Sequence, residues 1–442
     1  MIMLNSTLKV LISLIPLGFL TGCAVSPSSV VSPTPEAKLQ QISSQSLKPV
    51  SIPHLAALNG AAQPNQAQIE QFVKHLATRG YDPTTQGIWI QSGNTLLANY
   101  RGTTPLESAS IAKVATTLVA LDRFNPDHQF TTDFAMRGKL KDGVLNGDLV
   151  VKGGDDPFFV WEEAMAVGNL LNEMGIKRVT GDLIIVGRFA MNFKLSALES
   201  GNLLKIGLNS QNWTEEAKTQ YQTLPPGTPT PQVIIEGSVK PLATAPPGLK
   251  PLLSHHSLPL AELLKKMNLY SNTWMTKIIN TALGGDLIVA EKAAQLAQVP
   301  PSEIQLGGDD KISPRATVAM FLAIERYLQA YNMTIADVFA IIGQDEGILQ
   351  IRRQLPPFAV LKSGIWDNIS ALAGALPTQQ KNTVWFAIMN IGQPWKQSES
   401  EQEQLLTELV NDWGRVVTAP PELKPLASRV NNKSSLVKIT QN

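Results

Sequence analysis

At 442 residues with 43% hydrophobic content, the chain is long enough to bury a large core and to divide into two or three domains. A formal net charge of +1, with 17% charged residues, leaves no basic stripe to neutralise a run of phosphates, so no nucleic acid is expected as a partner. The single cysteine, Cys23, excludes an intramolecular disulfide.

Residues 1–23 read as an export signal. Lys9 is the only charge ahead of an apolar run from Val10 to Leu20, which is too short for a comfortable membrane span. The run ends in Leu20-Thr21-Gly22-Cys23, which resembles the lipobox of bacterial lipoproteins. That resemblance implies cleavage before Cys23, lipidation of its thiol, and a location in the periplasm or cell envelope on a membrane anchor. Residues 24–65 are rich in Ser, Pro, Gln and Ala without apolar periodicity, and are expected to form a flexible tether.

Gly87 to Tyr100 alternates apolar and polar residues around Ser92-Gly93-Asn94, the pattern of a hairpin. Ile111, Val114, Ala115, Leu118 and Leu121 then recur at helical spacing, which places Ser110 at a helix N-terminus. Residues 129–245 form a separate block of short strands, punctuated by Asp142-Gly143 and Asn146-Gly147, with a helix near Glu162–Gly175 and a strand at Asp182–Val186. Helical runs follow from Pro259 to Ala282 and from Arg315 to Tyr331. Phe358–Lys362 and Thr383–Asn390 read as adjacent strands, Glu399–Val417 as an amphipathic helix, and 419–442 as a loose tail. The predicted fold class is α/β (α+β): a sheet completed from both halves of the chain, 66–128 and 246–418, with helices and a mainly-β insertion at 129–245.

In Ser110-Ile111-Ala112-Lys113 a hydroxyl and an amine stand three residues apart, on one face of a helix and within mutual reach. Ser6/Lys9 and Ser435/Lys438 share that spacing, but only Ser110 opens an apolar-periodic helix directly after a hairpin. Lys362-Ser363-Gly364 ends one predicted strand and precedes another, and its glycine is expected to let a substrate backbone approach. The five histidines, His54, His75, His128, His255 and His256, show no helical ligand spacing, so no metal and no cofactor is expected. Asp155 and Asp156 read as a turn, and Trp161, Trp274, Trp366 and Trp385 as core or cleft-wall residues.

With these motifs in order the chain resembles the penicillin-recognising serine enzymes, whose signatures are Ser-x-x-Lys on a helix, Ser-x-Asn on a loop and Lys-Thr/Ser-Gly on a strand. More narrowly, it resembles the low-molecular-mass penicillin-binding proteins of the D-alanyl-D-alanine carboxypeptidase/endopeptidase family (peptidase S13). Gly147-Asp148-Leu149, Gly153-Gly154-Asp155-Asp156-Pro157, Gly181-Asp182 and Ala371–Leu376 extend the likeness over about residues 70–417. The middle motif departs from the pattern: after Ser271-Asn272 the family asparagine is replaced by Thr273, a shorter side chain with one donor, and Asn272 would compensate only if its loop were displaced by one residue. Gly307-Gly308-Asp309-Asp310 departs as well, where relatives carry a Gly-Ser-Gly-like stretch.

The resemblance implies Ser110 as nucleophile, Lys113 as its base, Ser271 as proton relay and Lys362 as electrostatic anchor. It further implies Thr273, Ser363, Gly364 and Ile365 around the substrate, with Ser363 on its carboxylate and the N–H groups of Ser110 and Ile365 as oxyanion hole. The implied activity is acyl-serine cleavage of peptidoglycan stem peptides, with β-lactams as covalent inhibitors. The alternative is a catalytically weak or inactive peptidoglycan-binding member of the same fold. A β-lactamase fits less well, because compact class A enzymes lack the insertion and Glu199 near Asn202 is only a loose match to their water-activating glutamate.

Overall fold

The computed structural model describes residues 63–427 and 433–439. The signal-like segment, Cys23 and the tether as far as residue 62 lie outside the described residues. Helix α1 (Gln66–Thr78) leads into the hairpin β1 (Gln86–Ser92) and β2 (Thr95–Tyr100), then the short β3 (Leu106–Glu107) and a 3-10 turn at Ala109–Ala112 that runs into α2 (Lys113–Phe124). The next block holds β4 (Thr131–Lys141), β5 (Val144–Gly154), α3 (Trp161–Glu173), β6 (Arg178–Val179), β7 (Leu183–Arg188), α4 (Ala197–Gly207), α5 (Glu215–Tyr221), β8 (Ile234–Ile235), β9 (Val239–Leu242) and β10 (Lys250–His256). Helices α6 (Leu260–Leu269), α7 (Thr273–Ala282) and α8 (Asp286–Ala297) precede β11 (Ile304–Gln305), β12 (Lys311–Ile312) and α9 (Pro314–Gln329). The chain ends in β13 (Ala340–Ile341), β14 (Val360–Trp366), β15 (Ile369–Thr378), β16 (Asn382–Ile391), α10 (Trp395–Trp413) and β17 (Ser435–Lys438).

Six strands in the order β13-β14-β15-β16-β1-β2 make one antiparallel sheet, so it is completed from both halves of the chain as expected. Strand period decides its two faces. On β16, Trp385, Ala387 and Met389 join the cluster around α2 and α9, while Phe386 and Ile388 join the opposite cluster with α1 and α10. On α1, Ile69, Phe72, Val73 and Leu76 follow the i, i+3, i+4, i+7 stripe that such packing requires. On α2, Ile111 just ahead and Val114, Ala115, Leu118 and Leu121 within it are all buried, each large one adding about 1.5–3 kcal/mol.

A second sheet of eight strands runs β17-β10-β4-β5-β6-β8, with β7 pairing β5 and β9. Its core joins Phe134, Leu149 and Val151 to Trp161, Met165 and Leu171 of α3. Two boundaries shift relative to the sequence reading. β10, beyond residue 245, belongs to this sheet through Leu253↔Phe134 and His255↔Thr132. The stretch from 419, expected to be a loose tail, is tied down: Leu423 is buried, the Leu426 N–H donates to Asp337 (2.9 Å), and β17 covers the free edge of β10 from Leu253↔Lys438 to His256↔Ser435.

A third difference concerns the main sheet. β14 and β16 are not neighbours, because β15 lies between them and pairs with both. Every residue of β15 is buried, so its sequence shows a continuous apolar run rather than alternation. Among the described residues no helix is long and apolar enough to cross a membrane.

Candidate active site

The site begins where β3 meets β12, with Leu106↔Ile312 and Glu107↔Lys311 in register. Immediately beyond this pair, Ser108 donates to the Asp310 carbonyl twice, from N (2.9 Å) and from Oγ (3.1 Å). Ala109 follows with φ +43°, a left-handed conformation that costs an alanine roughly 1–2 kcal/mol and turns the chain sharply into the 3-10 segment. That turn presents Ser110 half-buried at the start of α2, with Lys113 buried at the first residue of the helix. Lys113 Nζ donates to Ser110 Oγ at 3.0 Å. Burial lowers the Lys113 amine to about 8, against a smaller opposing effect of the Asp310 charge. A fraction of it is therefore neutral near physiological pH and able to take the serine proton.

The second Lys–Ser pair comes from β14 and the turn between α6 and α7. Lys362 Nζ donates to Ser271 Oγ (3.0 Å) and to the Ser363 carbonyl (2.6 Å). Complete burial, and then the Lys113 charge, hold the Lys362 amine well below the usual lysine range. Ser271 adopts φ +50°, so the turn points its hydroxyl at Lys362 by a backbone conformation unusual for serine. Asn268, one turn earlier, is buried and donates from Nδ2 to Thr117 Oγ1 and the Val338 carbonyl, both at 3.0 Å, which docks α6 onto α2.

Thr273 is the first residue of α7 and lines the cleft. Asn272 is the N-cap of that helix: its Oδ1 accepts from the N–H groups of Trp274 and Met275 (both 3.0 Å). The cleft has a volume of about 580 Å³ and is lined by Ser110, Lys113, Thr273, Asp310, Ile365 and Trp366, among others.

Gly364 has a different role from the one expected. A β-carbon there would lie 2.4 Å from the Ser108 carbonyl oxygen and 3.0 Å from the Ile111 nitrogen. The glycine thus lets the serine-bearing turn, rather than a substrate, approach β14. Ser363 Oγ is buried without a hydrogen-bond partner among the described residues. Sequence reasoning noted Asp310 only as part of a departure from the family pattern and gave no role to Asn268.

Other polar groups lie elsewhere. Glu199 is exposed in the first turn of α4 and does not line the cleft. Asp155 pairs with Arg188, while Asp156 and Glu163 flank the buried His255 at 3.5 and 2.7 Å. Among the described residues no cluster of three or more His, Cys, Asp or Glu is arranged to hold a metal. Trp161 and Trp385 are buried, whereas Trp274 and Trp366 are exposed.

The model of the D-Ala-D-Ala carboxypeptidase 3 (S13) family matches residues 70–188, the stretch that holds Ser110 and Lys113 but not Ser271 or Lys362. D-alanyl-D-alanine carboxypeptidase DacB of Haemophilus influenzae is 34% identical over 92 residues, which span 21% of this chain and 19% of that relative. Among solved structures, penicillin-binding protein 4 (dacB) of Haemophilus influenzae matches with a TM-score of 0.58 at 16% identity, covering 78% of this chain and 99% of that one. The penicillin G-acylated predatory endopeptidase Bd3459 of Bdellovibrio bacteriovorus, solved with immunity protein Bd3460, matches with a TM-score of 0.62 at 17% identity, covering 79% and 99%. Over residues 70–188 the chain is thus similar to the D-Ala-D-Ala carboxypeptidase 3 (S13) family, and it shares the fold of these solved structures.

Proposed function

We propose that the protein is a serine D,D-carboxypeptidase/endopeptidase that cuts peptidoglycan stem peptides through an acyl-Ser110 intermediate, exported and held at a membrane by a lipid on Cys23. The observation that carries this reading is the convergence of two Lys–Ser pairs, Lys113–Ser110 and Lys362–Ser271, each at 3.0 Å, beside one cleft. The family match and the penicillin-acylated structural relative support it.

In this mechanism neutral Lys113 removes the Ser110 proton as Oγ attacks the carbonyl carbon of the penultimate D-alanine. The oxyanion is stabilised by the N–H groups of Ser110 and Ile365. As the C–N bond breaks, Ser271 gives its proton to the departing amine, and the proton held on Lys113 restores the relay. Water then attacks the ester, and its proton returns the serine to its resting state. Lys362 stays close to Ser271 as the electrostatic anchor, and Ser363 Oγ, without a partner among the described residues, is the hydroxyl for the substrate carboxylate. No metal or cofactor takes part in this scheme.

Thr273 favours a second reading, a binding member with little turnover, because its single hydroxyl cannot both hold a substrate amide carbonyl and orient Lys113. One experiment separates the two. The protein is incubated with a pentapeptide stem ending in D-Ala-D-Ala and with a cross-linked dimer, and products are read by mass spectrometry. The peptidase reading expects D-alanine or cleaved dimer, and Thr273→Asn is expected to raise kcat/KM about tenfold by restoring one hydrogen bond to the reacting group. Binding of muropeptides without product, in both parent and Thr273→Asn, contradicts turnover and leaves the binding reading.

A further inference from the structure

The proposed mechanism passes a proton from Lys113 to Ser271, yet each Lys–Ser pair is closed on itself, and among the described residues no hydrogen bond crosses directly from one pair to the other. The pairs belong to different elements. Ser110 and Lys113 stand at the start of α2, and Ser271 in the turn that follows α6, so the separation of the two hydroxyls depends on how these helices seat against each other. Leu118 and Leu121 of α2 share one core cluster with Leu260, Leu264 and Met267 of α6. Apolar contacts of this kind are non-directional and tolerate a small slide of one helix along the other.

A buried polar contact fixes the seating. Thr117, one turn beyond Lys113, donates from Oγ1 to the Lys113 carbonyl (2.8 Å) and accepts from Asn268 Nδ2 (3.0 Å), and Asn268 also donates to the Val338 carbonyl (3.0 Å). Both side chains are buried. The Asn268 carbonyl in turn accepts from the Ser271 N–H (3.4 Å), and the Met267 carbonyl from the Asn272 N–H (2.9 Å), in the turn where Ser271 adopts φ +50°. A continuous path of hydrogen bonds therefore runs from the main chain of Lys113 to the main chain of Ser271. Chemistry decides the amide's orientation: the Val338 carbonyl can only accept and the Thr117 proton is committed to Lys113, so Nδ2 faces both. Its Oδ1 is left buried without a partner among the described residues, a cost that an apolar side chain of similar volume would avoid. In return, the two directional bonds select one seating of α6 on α2.

We propose that Thr117 and Asn268 are positioning residues for proton transfer: their buried hydrogen bond pins α6 to α2 and so sets the distance between the Ser271 hydroxyl and the Ser110–Lys113 pair. The proposal rests on the reading of Ser110 and Lys113 as nucleophile and base and of Ser271 as proton donor to the departing amine. Neither Thr117 nor Asn268 lines the cleft. In the step concerned, Ser271 gives its proton to the amide nitrogen as the C–N bond breaks, and the Lys113 ammonium returns one to Ser271. Loosening the seating shifts Ser271 but leaves the Ser110–Lys113 bond, which is local to one turn, in place.

Two leaving groups test this. A stem peptide ending in D-Ala-D-Ala releases an amine that must be protonated as it departs, whereas its thioester analogue releases a thiolate, which needs no proton. kcat/KM for both is measured in the parent, in Thr117→Val, in Thr117→Val/Asn268→Leu and in Thr117→Ser, which keeps the hydroxyl. The double variant is expected to lose about 10²-fold on the amide, the effect of a shift of about 1 Å, and no more than about threefold on the thioester. Thr117→Val is expected to show the same selective loss at about tenfold, so the comparison does not depend on the double variant, and Thr117→Ser to match the parent on both substrates. In crystal structures of the parent and the variants, the Ser110 Oγ to Ser271 Oγ separation is expected to change by about 1 Å in the double variant.

Equal losses on the two substrates, or no loss on the amide, overturn the proposal. A parent that cleaves neither substrate contradicts the peptidase reading instead, and the crystal structures then decide the positioning: an unchanged Ser110–Ser271 separation overturns it.

Discussion

Lys113→Met is expected to abolish acylation while making the protein more stable. The amine is buried at the start of α2, and burial lowers it to about 8, so the fold resists its charge. Near neutrality that depression corresponds to a penalty on the order of 3 kcal/mol, which a methionine of similar length removes. Removal also relieves Lys362 of a neighbouring positive charge.

The loss on the chemical side is larger. A positioned general base contributes about 10²–10⁴-fold, and no second amine reaches Ser110 among the described hydrogen bonds. The sign of the pH effect follows from the same shift. Between about 8 and 10.5 the unfolded chain holds more protons at Lys113 than the folded one, so parental stability rises with pH across that window. Denaturant titrations over this range are expected to show the rise in the parent and a flatter profile in Lys113→Met. A variant that is less stable than the parent at pH 7 contradicts the burial penalty.

Gly364→Ala is expected to be nearly as damaging without touching a reacting group. The added β-carbon would meet the Ser108 carbonyl oxygen at 2.4 Å and the Ile111 nitrogen at 3.0 Å, both main-chain atoms that cannot rotate aside. Either β14 or the 3-10 turn must retreat, at a cost of about 1–3 kcal/mol for overpacking. Because the turn carries Ser110 and the strand carries Lys362 and Ile365, the retreat separates the proposed nucleophile, anchor and oxyanion donor together. A displacement on the order of 1 Å lowers a rate about 10²-fold, and that fall in the benzylpenicillin acylation rate is the expected readout. An acylation rate equal to the parent's contradicts the close approach.

How much of this was legible in the sequence varied with the range of the interactions involved. The hairpin around Ser92-Gly93-Asn94 and the apolar stripe of α2 depend on neighbours in the chain, and both appear where periodicity places them. The Ser110–Lys113 contact was legible for the same reason, because i,i+3 spacing on a helical turn brings the two atoms together whatever else happens. The Ser271–Lys362 contact joins residues far apart in sequence, and only the family resemblance pointed to it. β15 carries no alternation because both its faces are buried, so its place between β14 and β16 was missed. Helix α8 was also missed, and β17 finds its partner 180 or so residues upstream on an edge that local pattern does not reveal. Asp310 lay hidden for a similar reason: the two-residue strands β3 and β12 that bring it to Ser108 are too short to read.

The most direct test of the acyl-serine claim is the intact mass of the protein after incubation with benzylpenicillin, with Ser110→Ala treated alongside. A persistent adduct of one drug molecule on the parent and none on Ser110→Ala is the expected result. A folded parent that gains no mass at high drug concentration, or an adduct that survives in Ser110→Ala, contradicts Ser110 as the nucleophile.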